Sequence, residues 1–152
     1  MSELELFALP PVADGRGLFP VGNRGGARLW CGPAALAAVS GWDAADTQEI
    51  CNRVAHRSTR GLRGSELQLA ASLLGVSLGP RSRILPRPTL QAWSGWERDP
   101  GSYIVQVTDH YVVVNGSRFV DSHTPQGCAV REAWCKGRHV VCWWRVLQKV
   151  AA

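Results

Sequence analysis

An α+β fold is predicted for this chain, with helices ahead of an antiparallel sheet, and three observations predict it. Residues 31–40 form a run of small apolar helix formers closed by Gly41. Residues 46–75 repeat apolar side chains at helical spacing behind two capping-box patterns. From Ser102 onward the texture turns extended, and Asn115-Gly116 supplies a strong hairpin signal between runs of branched residues. The 152 residues, 45% of them hydrophobic, suit one domain spanning 1–152 with a single sizeable core. Strands that follow helices in this way belong to an α+β layout.

Residues 1–28 are rich in Gly and Pro and read as an extended N-terminal arm, from which Leu4, Leu6 and Leu9 could dock on the body. Helix one is expected at 31–40, with Pro33 suited to a first turn because its missing N–H is not needed there. A second helix is expected from Asp46, capped with Glu49, to about Ala55; Ile50, Cys51 and Val54 form its apolar face. An arginine-rich loop at 56–64 follows. Ser65 and Gln68 then pattern as the cap of a third helix, which Gly75 ends. Val76–Leu78 reads as a short strand, Pro80, Pro86 and Pro88 as a loop, and Thr89 as the cap of a short helix through Trp93. Asp99-Pro100-Gly101 is a turn. Strands are predicted at Ser102–Val107, His110–Val114, Ser117–Asp121 and Val140–Leu147, with Trp143 and Trp144 covering the sheet.

Charge and cysteine usage narrow the function classes. The net charge is +5, carried mainly by arginine, with clusters at Arg53, Arg57, Arg60 and Arg63 and at Arg81, Arg83 and Arg87. Such a surface could attract nucleic acid or an acidic partner, but no nucleic-acid-binding motif accompanies it. Residues 1–10 show no basic signal-peptide region, and no apolar run is long enough to span a bilayer. A cytoplasmic protein without a membrane partner is therefore expected. Five cysteines is an odd number and no Cys-x-x-Cys occurs, which argues against a disulfide framework. Cys128, Cys135, His139 and Cys142 can be drawn as a zinc set, yet they lack paired short spacings, so neither metal nor cofactor is expected.

The chemistry points to Cys31. A thiol at a helix start feels the positive end of the dipole and nearby N–H groups, and both favour thiolate. The same donors suit a developing oxyanion. The alternative is a small buried core residue. A two-residue turn at Asn115-Gly116 would set Val114 against Ser117 and, three and four pairs back, Tyr111 against Val120 and His110 against Asp121. Opposed residues share a face with Cβ atoms about 4.5–5.5 Å apart, within reach of an imidazole–carboxylate bond. One reading is a Cys31–His110–Asp121 set: nucleophile, general base and acid, and orienting carboxylate. The other is a cross-strand salt bridge on a solvated face. His123 shares the Asp121 face and is the reserve histidine, while His56 and His139 read as surface or packing residues.

Trp30-Cys31-Gly32-Pro33-Ala34-Ala35-Leu36, Asp109-His110-Tyr111-Val112-Val113-Val114 and Val120-Asp121 together resemble the papain-like cysteine peptidase fold in its compact bacterial and phage form, the C39-like peptidases. The resemblance covers residues 22–125 or so. It implies a thiol hydrolase that cuts a peptide or isopeptide bond of a peptide or protein substrate through a thioester, and a virion-associated location if the chain is phage-encoded. The family usually places a glutamine several residues before the cysteine to hold the oxyanion. Gly25, Gly26, Ala27, Arg28 and Leu29 stand there instead, so Asn23 or Arg28, with the Cys31 N–H, is the expected substitute. The missing glutamine keeps two alternatives open: a non-catalytic binding or structural module on this fold, and an acyltransferase of transglutaminase type.

Overall fold

The computed structural model describes residues 18–24, 26, 28–55 and 61–147. Leu4, Leu6, Leu9, His56, Arg57 and Arg60 fall outside them, as does the arm up to residue 17. Among the described residues the architecture is mixed α and β: helices α1 (Cys31–Ser40), α2 (Ala44–Ala55), α3 (Gly64–Leu73) and α4 (Leu90–Ser94) pack on one six-stranded sheet. The strands are β1 (Ser77–Leu78), β2 (Ser102–Val107), β3 (His110–Asn115), β4 (Arg118–Val120), β5 (Cys128–Ala129) and β6 (Val140–Leu147), in the order β1-β6-β2-β3-β4-β5. All neighbours pair antiparallel. Strand β5 and the 3₁₀ turn Val130–Glu132 after it carry no alternating pattern, and the sequence reading passed over both.

Helix α1 organises the helical layer. Gly32 through Ser40 are all buried, and the alanines among them let neighbouring backbones approach closely. Gly41 closes it in the left-handed region, φ 80°, returning its N–H to the Ala37 carbonyl at 2.9 Å. The described part of the arm docks on this helix: Leu18 and Val21 are buried, and the Phe19 N–H bonds the Ala38 carbonyl at 3.0 Å. Helix α2 begins earlier than the Asp46–Glu49 pattern implied. Asp43 caps it, accepting the Ala45 N–H at 3.1 Å, because a shorter loop from Gly41 suffices to turn the chain. Helix α3 likewise starts at Gly64 rather than behind a Ser65–Gln68 box, and the Glu66 carboxylate takes the Arg63 N–H at 2.9 Å. Thr89 caps α4 as predicted, its hydroxyl accepting the Ala92 N–H at 3.2 Å.

Both faces of the sheet are covered. Ile104, Tyr111, Val113, Val120, Cys142 and Trp144 face the α1–α3 layer. Tyr103, Val105, Val107, Val112, Val114 and Phe119 face α4 and the turn after β5. The two neighbouring tryptophans of β6 therefore serve opposite layers: Trp144 is buried among the helices, whereas Trp143 packs 5.7 Å from Trp93. Covering both faces explains why β3 reads as an unbroken apolar run after His110.

The β3–β4 register departs from expectation. The turn is Gly116-Ser117, with Gly116 at φ 59°, and the pairs are Asn115–Arg118, Val114–Phe119 and Val113–Val120. His110 and Asp121 are thus not directly opposed; continued, this register sets Asp121 against Val112. The slip amounts to two positions, so side-chain parity is kept and His110 and Asp121 still share a face. The cysteine set drawn for zinc is pulled apart, since Cys128 on β5 and Cys142 on β6 are separated by four strand spacings, ~19 Å. Among the described residues no group of three His, Cys, Asp or Glu side chains is placed to hold a metal ion.

Candidate active site

Cys31 opens α1 behind Trp30, which takes an extended conformation (φ −92°, ψ 150°) and caps the helix with no side chain. The first-turn N–H groups of Cys31 and Gly32 have no carbonyl one turn below them, and Pro33 brings none. Thr47 of α2 fixes this end from behind, its hydroxyl donating to the Pro33 carbonyl at 2.9 Å. His110 begins β3 directly after Asp109, which takes the left-handed region at φ 57° in the tight β2–β3 turn. The strand thereby brings its first imidazole against the mouth of α1. Tyr111, next along, reaches into the helical layer and donates its hydroxyl to the Leu62 carbonyl at 2.7 Å, tying the segment ahead of α3 to β3.

The three predicted residues meet. His110 Nε2 lies 2.8 Å from Asp121 Oδ2, and its side chain is 6% exposed against 0% for the carboxylate. The ring also engages the half-buried Cys31 thiol, and with Nε2 committed to Asp121, Nδ1 is left for the sulfur. Asp121 is fully satisfied. Besides His110, its Oδ2 accepts Trp134 Nε1 at 2.7 Å, while Oδ1 accepts the backbone N–H of His123 at 3.0 Å and of Thr124 at 2.7 Å. A carboxylate with four donors can remain charged at zero exposure.

The electrostatics follow from these contacts. Burial alone would push the Cys31 thiol up. The hydrogen bond and charge of His110, aided by the Tyr111 and Gly32 backbone, outweigh it and leave the thiol below its ordinary value. Burial would likewise lower His110, yet its bonds to Asp121 and Cys31 raise it to about 9. Asp121, which burial would raise, is held below the usual carboxylate range by His110, Trp134 and Thr124. The two shifts act in one direction, favouring the thiolate–imidazolium pair over the neutral one. Cys51 and Cys135 show the contrast: burial pushes each to about 12 with no imidazole to offset it.

The proposed oxyanion donors fare differently. Arg28 is exposed and its guanidinium stacks 4.2 Å from the Trp30 ring centroid. Asn23 is half-buried in the turn before α1, where its carbonyl accepts the Gly26 N–H at 3.2 Å. The groups that shift the thiol are His110 and the backbone of Tyr111 and Gly32. His123, the reserve histidine, is exposed; it contributes its backbone N–H to Asp121 while its ring lies 5.6 Å from His110. His139 is exposed at the head of β6.

Sequence reasoning missed Trp134. Its ring meets His110 edge-on at 5.2 Å and His123 at 4.6 Å, with the Arg138 guanidinium 4.5 Å away. It sits in an irregular segment, and no periodicity flags such a residue. No protein-family model, curated protein or solved structure matches this chain. No helix among the described residues is long and apolar enough to cross a membrane.

Proposed function

We propose that this chain is a thiol-dependent hydrolase, a cysteine peptidase of papain-like, C39-like type, that cleaves a peptide or isopeptide bond. One observation carries the reading: a thiol at the mouth of a buried helix, an imidazole at the start of an inner strand and a buried carboxylate form one hydrogen-bonded line. In that line Cys31 attacks the carbonyl carbon as thiolate. The His110 imidazolium then gives its proton to the leaving amine as the tetrahedral intermediate collapses to a thioester. His110, now neutral, takes a proton from water, which attacks the thioester and releases acid and thiol. Asp121 stays ionised and holds the ring and its charge. The first-turn N–H groups of α1 are the oxyanion donors this reading relies on, and losing one side-chain donor slows such a reaction by about 10²–10³ without ending it.

The test is the pH profile of Cys31 alkylation by iodoacetamide, followed by mass spectrometry, beside turnover of a peptide library. The expected acid midpoint lies below the value near 8.5 of an ordinary thiol, and His110→Ala moves it up. Cleaved library peptides, lost with Cys31→Ala, complete the case. A midpoint at or above 8.5 overturns the pair. A reactive thiol with no cleavage identifies a non-catalytic module, and peptide product coupled to an added amine identifies an acyltransferase.

A further inference from the structure

Two exposed features outside the Cys31, His110 and Asp121 set complement each other in charge. The first is the loop 80–88, which carries one of the arginine clusters. Hydrogen bonds pin it along β6: Ser82 and Trp143 exchange two at 2.9 Å, and the Val140 N–H bonds the Pro88 carbonyl at 2.7 Å. Between these anchors Leu85 is 76% exposed and Ile84 45%. Arg81, Arg83 and Arg87 are exposed around them, and no acidic residue occurs from Arg81 to Trp96. The result is a stiff apolar tip ringed by positive charge, already ordered before anything binds it.

The second feature is a groove between α2 and α3 of about 230 Å³, floored by Trp42, Ile50, Leu73 and Leu74 and rimmed by Asp46 and Glu49. Its wall is fixed, because Trp42 Nε1 donates to the Leu74 carbonyl at 3.3 Å. Arg53 also lines it but is held by Glu49 at 2.6 Å, so Asp46 leaves the rim net negative. Leu73, 59% exposed, and Leu69, 53% exposed one turn earlier, extend the apolar strip along α3. A leucine side chain fits the volume.

We propose that the occupant of this groove is a second copy of the chain, whose Ile84–Leu85 tip seats between α2 and α3 with its arginines against Asp46 and Glu49. A strongly basic chain repels its own copies in general, which makes a contact between its most basic tip and an acidic-rimmed groove selective for this orientation. The contact is heterologous, tip to groove, and a few apolar side chains make it weak, with dissociation on the order of 0.1 mM.

Sedimentation equilibrium from about 10 µM to 1 mM tests this, using Leu85→Asp to disable the tip and Leu73→Asp to disable the groove. Both positions are exposed, and unchanged thermal melting confirms that each variant folds. The wild type associates as concentration rises, and each variant alone stays monomeric. An equimolar mixture regains one intact tip and one intact groove, and forms a 1:1 complex that weakens as salt is raised. A wild type monomeric at 1 mM, a variant that still associates alone, or a mixture that fails to restore the complex overturns the proposal.

Discussion

Asp121 shows how much one side chain can settle. Its four hydrogen bonds orient His110, hold Trp134 and close the turn at Thr124. Asp121→Asn keeps the shape but removes the charge. The His110 value is expected to fall from about 9 and, on the proposed reading, peptide turnover to drop about 10²–10⁴-fold, read by the alkylation profile and by steady-state kinetics. The same shifts make stability depend on pH. His110 is raised above its unfolded value of 6.5, so its contribution is complete below that and is lost as pH rises through about 9. Asp121 is depressed, so its contribution is present above its unfolded value of 3.8 and is lost as pH falls through its lower folded one. Urea unfolding across pH is expected to show a plateau between about 3.8 and 6.5, with the decline from 6.5 to about 9 reduced in His110→Ala and the later decline from Cys51 and Cys135 kept.

At the level of elements, helix ends matter more than helix interiors. Gly41 takes φ 80° where α1 turns toward Asp43, and any side chain there enters the left-handed region. Gly41→Ala is expected to cost about 1–2 kcal/mol, measured as a lower Tm and urea midpoint with the fold kept. The hairpin teaches a related lesson. Asn115-Gly116 announced a turn between two strands, and a turn is there, but one residue later, at Gly116-Ser117. A two-residue loop can sit at either place on the same strands, and face burial does not choose between them, because both registers put Phe119 and Val120 on the same opposite faces. The slip preserved parity, so the carboxylate stayed on the imidazole's side of the sheet.

For the whole molecule, the central strands are the part held from every direction. Strand β2 lies between β6 and β3, and side chains pack on both its faces. Amide hydrogen exchange is expected to be slowest at Ile104, Val105, Val112 and Val113, with their opening free energies equal to that of global unfolding. The short edge strands β1 and β5 are expected to exchange by smaller openings. A uniform pattern across the sheet would contradict this layering.

The sequence by itself determined the four helices and all strands but β5, the stops at Gly41 and Gly75, the cap at Thr89, and the choice of Cys31, His110 and Asp121 as one set. These rest on local chemistry: spacing, turn residues and a thiol at a helix mouth. Only the tertiary structure decided which register β4 takes, which groups complete the carboxylate's shell, and where Arg28 and Asn23 end up. Trp134 entered the site from an irregular stretch, and Arg28 stacks on the Trp30 ring. The physical reason is that such contacts join residues far apart in the chain, and their partners are chosen by packing and by the need to satisfy a buried charge, neither of which leaves a periodic mark.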